Sequence, residues 1–183
     1  ATVSDFRLDN FEVTVGRFRK FVAAYSQDMI PVGAGKNVNN PDDPGWKASF
    51  NANLPADVTA LKAANKCHDP GQTWTDTVGA NENLPMVCLN WYEAQAFCIW
   101  DNARLPTEAE WNYAAAGGTE QRLYPWGATV PGMDSKLTIY DCYYGDSTMP
   151  GTVGSIPAGN AKWGQSDMAG NVSEWMADYY PTY

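Results

Sequence analysis

Apolar residues recur on one helical face from Val15 to Tyr25. Val15, Phe18, Phe21, Val22 and Tyr25 follow the helix repeat, and Thr14 stands where an N-cap belongs. Just before them Phe11, Val13 and Val15 alternate, so residues 8–25 read as a short strand followed by a helix. The pattern is lost over 26–56, where Pro31, Gly33, Gly35, Pro41, Pro44, Gly45 and several Asn read as loop. A brief helix is expected from Asp57 to Lys66 with Asp57 as its cap, then another loop over 67–84. Met86-Val87-Cys88-Leu89 is an apolar run that predicts a short buried strand. Asn90 with Glu93 three residues on resembles a capping box and opens a helix running through Trp100. After a turn over 101–104, Thr107-Glu108-Ala109-Glu110 is a second capping box. Its helix carries Trp111, Ala114 and Ala115 and stops at Gly117-Gly118. The short connection predicts two antiparallel helices. Beyond Tyr124-Pro125-Trp126-Gly127 the periodicity fades, and 128–166 holds scattered Gly, Pro, Asp and aromatics with short strands at best.

Composition narrows the classes. The 183 residues predict one domain spanning 1–183 with a real core. Lys and Arg total 12 against 21 Asp and Glu, a net charge of −9, which argues against a phosphate-backbone partner and so against nucleic acid. Eight Trp and ten Tyr supply ample surface to bury, which argues against disorder. No apolar run approaches the roughly 20 residues of a membrane span. The opening Ala1-Thr2-Val3-Ser4 reads as a processed or trimmed end.

The four cysteines are Cys67, Cys88, Cys98 and Cys142, none in a C-x-x-C, and His68 is the single histidine. A zinc site is therefore poorly supplied. Four cysteines allow three pairings; Cys67–Cys88 with Cys98–Cys142 is the preferred set, against the alternative of four buried free thiols. An even count in an acidic, loop-rich chain suggests an oxidising compartment: secreted, periplasmic or cell surface. Cys67 beside His68 does not make a nucleophile, because sequence neighbours rarely supply the geometry.

Several motifs, taken together and in order, resemble the formylglycine-generating enzyme family, also called the sulfatase-modifying-factor family. They are Phe11-Glu12-Val13-Thr14, Leu89-Asn90-Trp91-Tyr92-Glu93-Ala94-Gln95-Ala96-Phe97-Cys98, Arg104-Leu105-Pro106-Thr107-Glu108-Ala109-Glu110-Trp111-Asn112-Tyr113-Ala114, Tyr124-Pro125-Trp126-Gly127, and the run from Asp167 to Trp175. The resemblance covers roughly 8–25 and 85–178 and leaves 26–84 as a loop-rich elaboration. It implies an α+β architecture: a variant C-type-lectin-like fold, low in regular secondary structure, with two central helices and small twisted antiparallel sheets. Members include enzymes that oxidise a sulfatase cysteine to formylglycine with copper and oxygen. Others act in ergothioneine synthesis, and others are binding domains, including hypervariable receptors. The family's copper-binding cysteine pair follows an Arg-Gly-Gly-Ser-Trp-like motif in a C-terminal third, and that motif is absent here. Cuprous ion prefers thiolates, and none of the four cysteines matches those positions; Cys98 matches a helix cysteine that is structural in some relatives. No catalytic residue and no copper are expected in this chain.

The family commonly binds calcium in the loop matching 167–174. Carried across, the ligands are the Asp167 carboxylate, the Gly170 carbonyl, the Val172 carbonyl and the Glu174 carboxylate. Calcium takes six to eight oxygens, and Gly170 lets the loop curl tightly. The plainer alternative is that Asp167 and Asn171 brace a turn while Glu174 is solvated or paired with an Arg. A second family site falls somewhere in 138–160, with Asp141 and Asp146 as candidates. The ion's expected role is to stabilise a domain poor in long helices and sheets.

Other signals weigh less. Glu108 and Glu110 suit a helix start better than acid–base work, and Arg104 is expected to pair with a nearby carboxylate. Trp91, Trp100, Trp111, Trp126, Trp163 and Trp175 are expected mostly in the core, with a ligand groove as the alternative. Tyr143-Tyr144 and Tyr179-Tyr180-Pro181 are candidate contact surfaces. Asn171-Val172-Ser173 is a glycosylation sequon expected to stay unmodified inside the loop. Calcium-dependent sugar-binding motifs are absent, so the fold does not imply sugar binding. The expected function is a calcium-stabilised, non-catalytic binding or structural module for a protein or small ligand. The alternatives are part of a copper-dependent oxidase lacking its catalytic third, a variable receptor, or an assembly subunit completed by self-association or a complementing C-terminal segment.

Overall fold

In the computed structural model, residues 3–67, 71–132, 136–140 and 150–178 are described. Helix α1 (Val15–Ala24) starts where the Thr14 side chain accepts a hydrogen bond from the Arg17 amide at 3.1 Å. It buries Val15, Phe18, Phe21 and Val22, the apolar stripe of the sequence. Helix α2 (Val58–Ala64) is capped by Asp57, which accepts from the Ala60 amide at 2.8 Å. Helix α3 (Trp91–Trp100) and helix α4 (Glu108–Ala115) both open with complete capping boxes, Asn90 with Glu93 and Thr107 with Glu110. Gly117 and Gly118 end α4 at φ of 67° and 65°, a conformation that favours glycine. Short 3-10 turns over Ala48–Asn53, Ala80–Asn83, Gly118–Glu120 and Pro157–Gly159 complete the regular structure among the described residues.

The core lies between α1, α2 and α3. Phe18, Phe21 and Phe97 meet there with Leu61, Trp46 and Trp74. Ile30, Trp46, Leu54, Leu61 and Trp74 all come from 26–84, so this loop-rich stretch builds the core rather than decorating it. The buried tryptophans are Trp46 and Trp74. This corrects the expectation for the other six: Trp91, Trp100, Trp111 and Trp126 are half-buried, and Trp163 and Trp175 are exposed. Their rings sit on the core's margin, where an indole N–H can still find an acceptor.

No strand forms among the described residues. The short strands expected before α1 and at Met86-Val87-Cys88-Leu89 do not form; where the two segments meet there is one antiparallel bridge, between Thr14 and Pro85. The Met86 amide donates to the Val13 carbonyl at 2.7 Å and the Val15 amide to the Leu84 carbonyl at 3.0 Å. The ladder stops there because α1 begins at Val15 and Cys88 turns the chain at φ 66°. A second isolated bridge joins Tyr124 to Gly127. Cys67 and Cys88 form a disulfide, which also removes Cys67 as a nucleophile. Cys98 is a free thiol, not the half of a disulfide that was expected, and Cys142 lies outside the described residues.

Beyond α4 a smaller apolar cluster of Ala114, Ala161 and Met168 packs with Phe6, Leu8 and Trp111. Three indoles tie the last described segment to the helical half. Trp91 donates to the Met176 carbonyl, Trp111 to the Glu174 carboxylate, and Trp175 to the Leu89 carbonyl, each at 2.8 Å. No helix among the described residues is long and apolar enough to cross a membrane.

Candidate functional site

The loop 167–174 is built from sharply turned backbone. Asp167, Gly170 and Asn171 take φ of 61°, 116° and 57°. Gly170 is required twice over, since a Cβ there would stand 2.2 Å from the Ile139 carbonyl oxygen. The strand-like neighbour 138–139 holds the loop: the Asn171 amide donates to the Ile139 carbonyl at 2.7 Å, and the Thr138 hydroxyl donates to the Ala169 carbonyl.

Asp167 accepts from the Gly154 amide at 2.6 Å, and Glu174 accepts from the Trp111 indole at 2.8 Å. Asn171 is buried, and its side chain accepts from the Gly151 amide at 2.9 Å while donating to Glu12 at 2.6 Å. Asp167 and Asn171 thus do brace the turn, and Glu174 is exposed, as the plainer alternative had it, though it meets an indole and not an Arg. A side chain buried in this way is a poor acceptor for a glycan, in keeping with the expectation for the sequon.

The electrostatics of this corner are unusual. Burial first, helped by the charges of Asp167 and Glu174 and opposed by the Asn171 amide and the Val172 backbone, pushes the Glu12 carboxyl up to about 8. Glu174 is raised as well, by burial of its carboxylate first and by Asp167 after the Trp111 hydrogen bond that opposes it. The remaining Glu12 oxygen, Oε1, is buried without a hydrogen-bond partner. Three carboxylates act on one another with no basic side chain among the causes, and every donor offered is an oxygen. That is the donor chemistry of a hard dication. Among the described residues no three carboxylate, thiol or imidazole side chains close into a cage. Asp167 and Glu174 are the side chains, and Gly170 and Val172 the carbonyls, that could contribute oxygens to a shell here.

The sequence reading missed Glu12 as a neighbour of the loop. Its signal was an acid set in an alternating apolar segment, between Phe11 and Val13. Trp111 was also missed as a neighbour of the loop; a tryptophan on the first turns of α4 was its only mark. Asp141, Asp146, Tyr143-Tyr144 and Tyr179-Tyr180-Pro181 lie outside the described residues. A cleft of about 2020 Å³ borders the loop and reaches Glu12, Cys98, Arg104 and Gln165.

The other candidates resolve into structural roles. Glu110 receives two hydrogen bonds from Arg104, at 2.6 and 2.8 Å, and closes its capping box through the Thr107 amide at 2.9 Å. Arg104 holds the Glu110 carboxyl below its ordinary range. Glu108 is exposed, and its amide is capped by Asp178 at 2.5 Å. Burial pushes the Cys98 thiol up to about 12, so it stays protonated and unreactive at neutral pH.

The sequence profile of the sulfatase-modifying factor enzyme 1-like domain matches residues 1–183, so the likeness extends over 26–84 as well. The chain is 30% identical to a formylglycine-generating enzyme of Thermomonospora curvata, over 97% of this chain and 61% of that protein. It is 31% identical to an inactive C-alpha-formylglycine-generating enzyme 2 of Bos taurus, over 98% of this chain and 62% of that protein. A hercynine oxygenase of Mycobacterium tuberculosis is 30% identical over 94% of the chain and 37% of its own length. The chain thus spans about 61% of the length of the first of these relatives.

Proposed function

Because this chain belongs to the sulfatase-modifying factor enzyme 1-like family, whose domain has a C-type-lectin-like fold, we propose that it is a calcium-stabilised, non-catalytic module of that family. The carrying observation is the 167–174 loop, where half-buried Glu12 and exposed Glu174 gather with Asp167 and, among the described residues, no basic side chain acts on either glutamate. Asp167 and Glu174 with the Gly170 and Val172 carbonyls would hold the ion, and the ion would supply positive charge that organises the loop. An ion bound only by the folded state adds about 2.7 kcal/mol at a hundredfold excess over Kd.

The non-catalytic part of the reading is supported by the thiols. Cys67 and Cys88 are joined, and the Cys98 thiol is held protonated, so these three offer no thiolate pair for cuprous ion. The disulfide fits an oxidising compartment outside the cytosol. The cleft beside the loop is the surface for a protein or small-ligand partner.

One observation favours a second reading. The chain matches 61% of a named formylglycine-generating enzyme. In that reading it is the scaffold part of a copper-dependent oxidase whose reactive cysteines lie in the portion of those relatives it does not match. The mass of the mature polypeptide, with an assay for oxidation of a sulfatase-type cysteine peptide, separates the two.

Terbium tests the site directly, because Trp111 touches Glu174 and can sensitise the emission of a lanthanide bound there. Tryptophan-excited terbium emission that calcium displaces is expected, together with a melting temperature lowered by EGTA at matched ionic strength. Both effects should vanish in Glu174→Gln. A wild-type protein with neither effect would refute the calcium reading.

A further inference from the structure

We propose that Glu12 is a positioning residue of the cation loop: it fixes Asn171, and through it the Gly170 and Val172 carbonyls, and balances the ion's charge with an oxygen the protein leaves unpaired. The inference rests on the calcium reading above. Glu12 precedes α1 and lies 159 residues from Asn171 in sequence, yet it accepts from the Asn171 side-chain amide at 2.6 Å. The orientation of that amide is set from the other side, since its oxygen accepts from the Gly151 amide at 2.9 Å.

Asn171 sits between the two residues whose carbonyls are candidate ligands, in a left-handed conformation at φ 57°. Holding its side chain from both sides restrains this turn, and with it the peptides that carry the two carbonyls. Glu12 therefore sets where the Gly170 and Val172 oxygens point without needing to touch an ion. Its second oxygen, Oε1, is buried and has no hydrogen-bond partner among the described residues. A buried carboxylate oxygen left this way is costly, and the neighbouring charges that act on it, Asp167 and Glu174, are negative. A hard dication in the loop reverses that sign. Because the three side chains do not close into a cage, the link from Oε1 to the ion runs through one of the waters that complete a calcium shell. Residues that orient metal ligands in this way typically change affinity by about 10–100-fold when removed.

The test compares wild type, Glu12→Gln and Glu174→Gln, each titrated with calcium by terbium competition and melted in EGTA. The Gln amide still offers an oxygen to Asn171 but carries no charge. Glu12→Gln is expected to melt in EGTA at or above the wild-type temperature and to bind calcium about tenfold more weakly. A purely structural Glu12 gives the opposite pattern, a lower melting temperature with an unchanged calcium Kd, and that result overturns the proposal. Wild-type affinity in Glu12→Gln beside lost binding in Glu174→Gln removes Glu12 from the site and leaves the calcium reading standing. Absence of calcium binding by wild type overturns both. Should Glu12→Gln fail to fold, Glu12→Asp and Asn171→Ser carry the test, since each shortens the link while keeping the charge. A severalfold weaker Kd with an unchanged far-ultraviolet dichroism spectrum is expected of both, and an unchanged Kd in both refutes it.

Discussion

The connection between α3 and α4 and the loop 167–174 each bury a carboxylate, and they handle it in opposite ways. Glu110 is almost wholly buried, but Arg104 meets both of its oxygens, so its carboxyl is held below the ordinary range. Glu12 has one oxygen on Asn171, none of its partners is a cation, and its carboxyl is pushed up to about 8. The first region carries its counter-charge in its own sequence, six residues away. The second brings together acids from distant parts of the chain and, among the described residues, no basic side chain acts on them. The contrast separates a corner whose buried acid has its counter-charge from one whose acids have none among the described residues.

Breaking the complete side should have the largest effect. Arg104→Met leaves the Glu110 charge buried with its backbone cap alone, and losses on breaking a buried pair run to about 3–5 kcal/mol. Urea midpoints at constant slope measure it. The two regions should also answer pH with opposite signs. Glu110 has a depressed carboxyl, so its contribution is present above the ordinary value of 4.5 and is lost as pH falls through its lower folded value. Glu12 has a raised one, so with EGTA present its contribution is full below 4.5 and is lost as pH rises toward about 8. Arg104→Met should flatten the acid limb only. A calcium-free protein whose stability does not fall between these two values would erase the comparison.

The disulfide comes next. Cys67 and Cys88 are 21 residues apart in sequence and staple the segment that leads into α3 to the chain just past α2. A loop of that size is worth about 3 kcal/mol. Replacing both by Ser should lower the thermal midpoint and leave the calcium-induced increment as it was, since the staple lies on the helical side. A calcium increment that changes with the staple would mean that the two regions unfold as coupled units.

The difference between the regions also explains what could be read in advance. The four helices were marked in the sequence, because a cap, a capping box or a terminal glycine is a local signal whose partner lies three or four residues off. Arg104 with Glu110 belongs to the same class. The bridge between Thr14 and Pro85 was overstated as a strand, because an apolar run does not reveal that Cys88 turns out of it at φ 66°. Trp46 and Trp74 went unrecognised as the core tryptophans, since burial in a loop has no periodicity to betray it. The loop residues Asp167, Gly170, Val172 and Glu174 were nominated as ligands through resemblance. Glu12, 159 residues from Asn171, was not, because nothing local joins the two.

The smallest expected effect concerns the residue that belongs to both regions. Trp111 stands on α4, beside the capping box that Glu110 closes, and its indole donates to Glu174 in the loop. Trp111→Phe keeps most of the ring and deletes that donor. Hydrogen bonds to charged groups contribute about 1.5–3 kcal/mol in general, and this one is open to solvent, so a loss of about 1 kcal/mol is expected. If Glu174 faces a bound ion, the ion takes over the lost stabilisation, and the penalty should be smaller with calcium than with EGTA. If instead the indole is what holds Glu174 in place, the penalty should be the same in both buffers and the calcium Kd should not move. Paired melts of wild type and Trp111→Phe in the two buffers measure that difference, and its sign decides whether the loop is held by the helical half or by its ion.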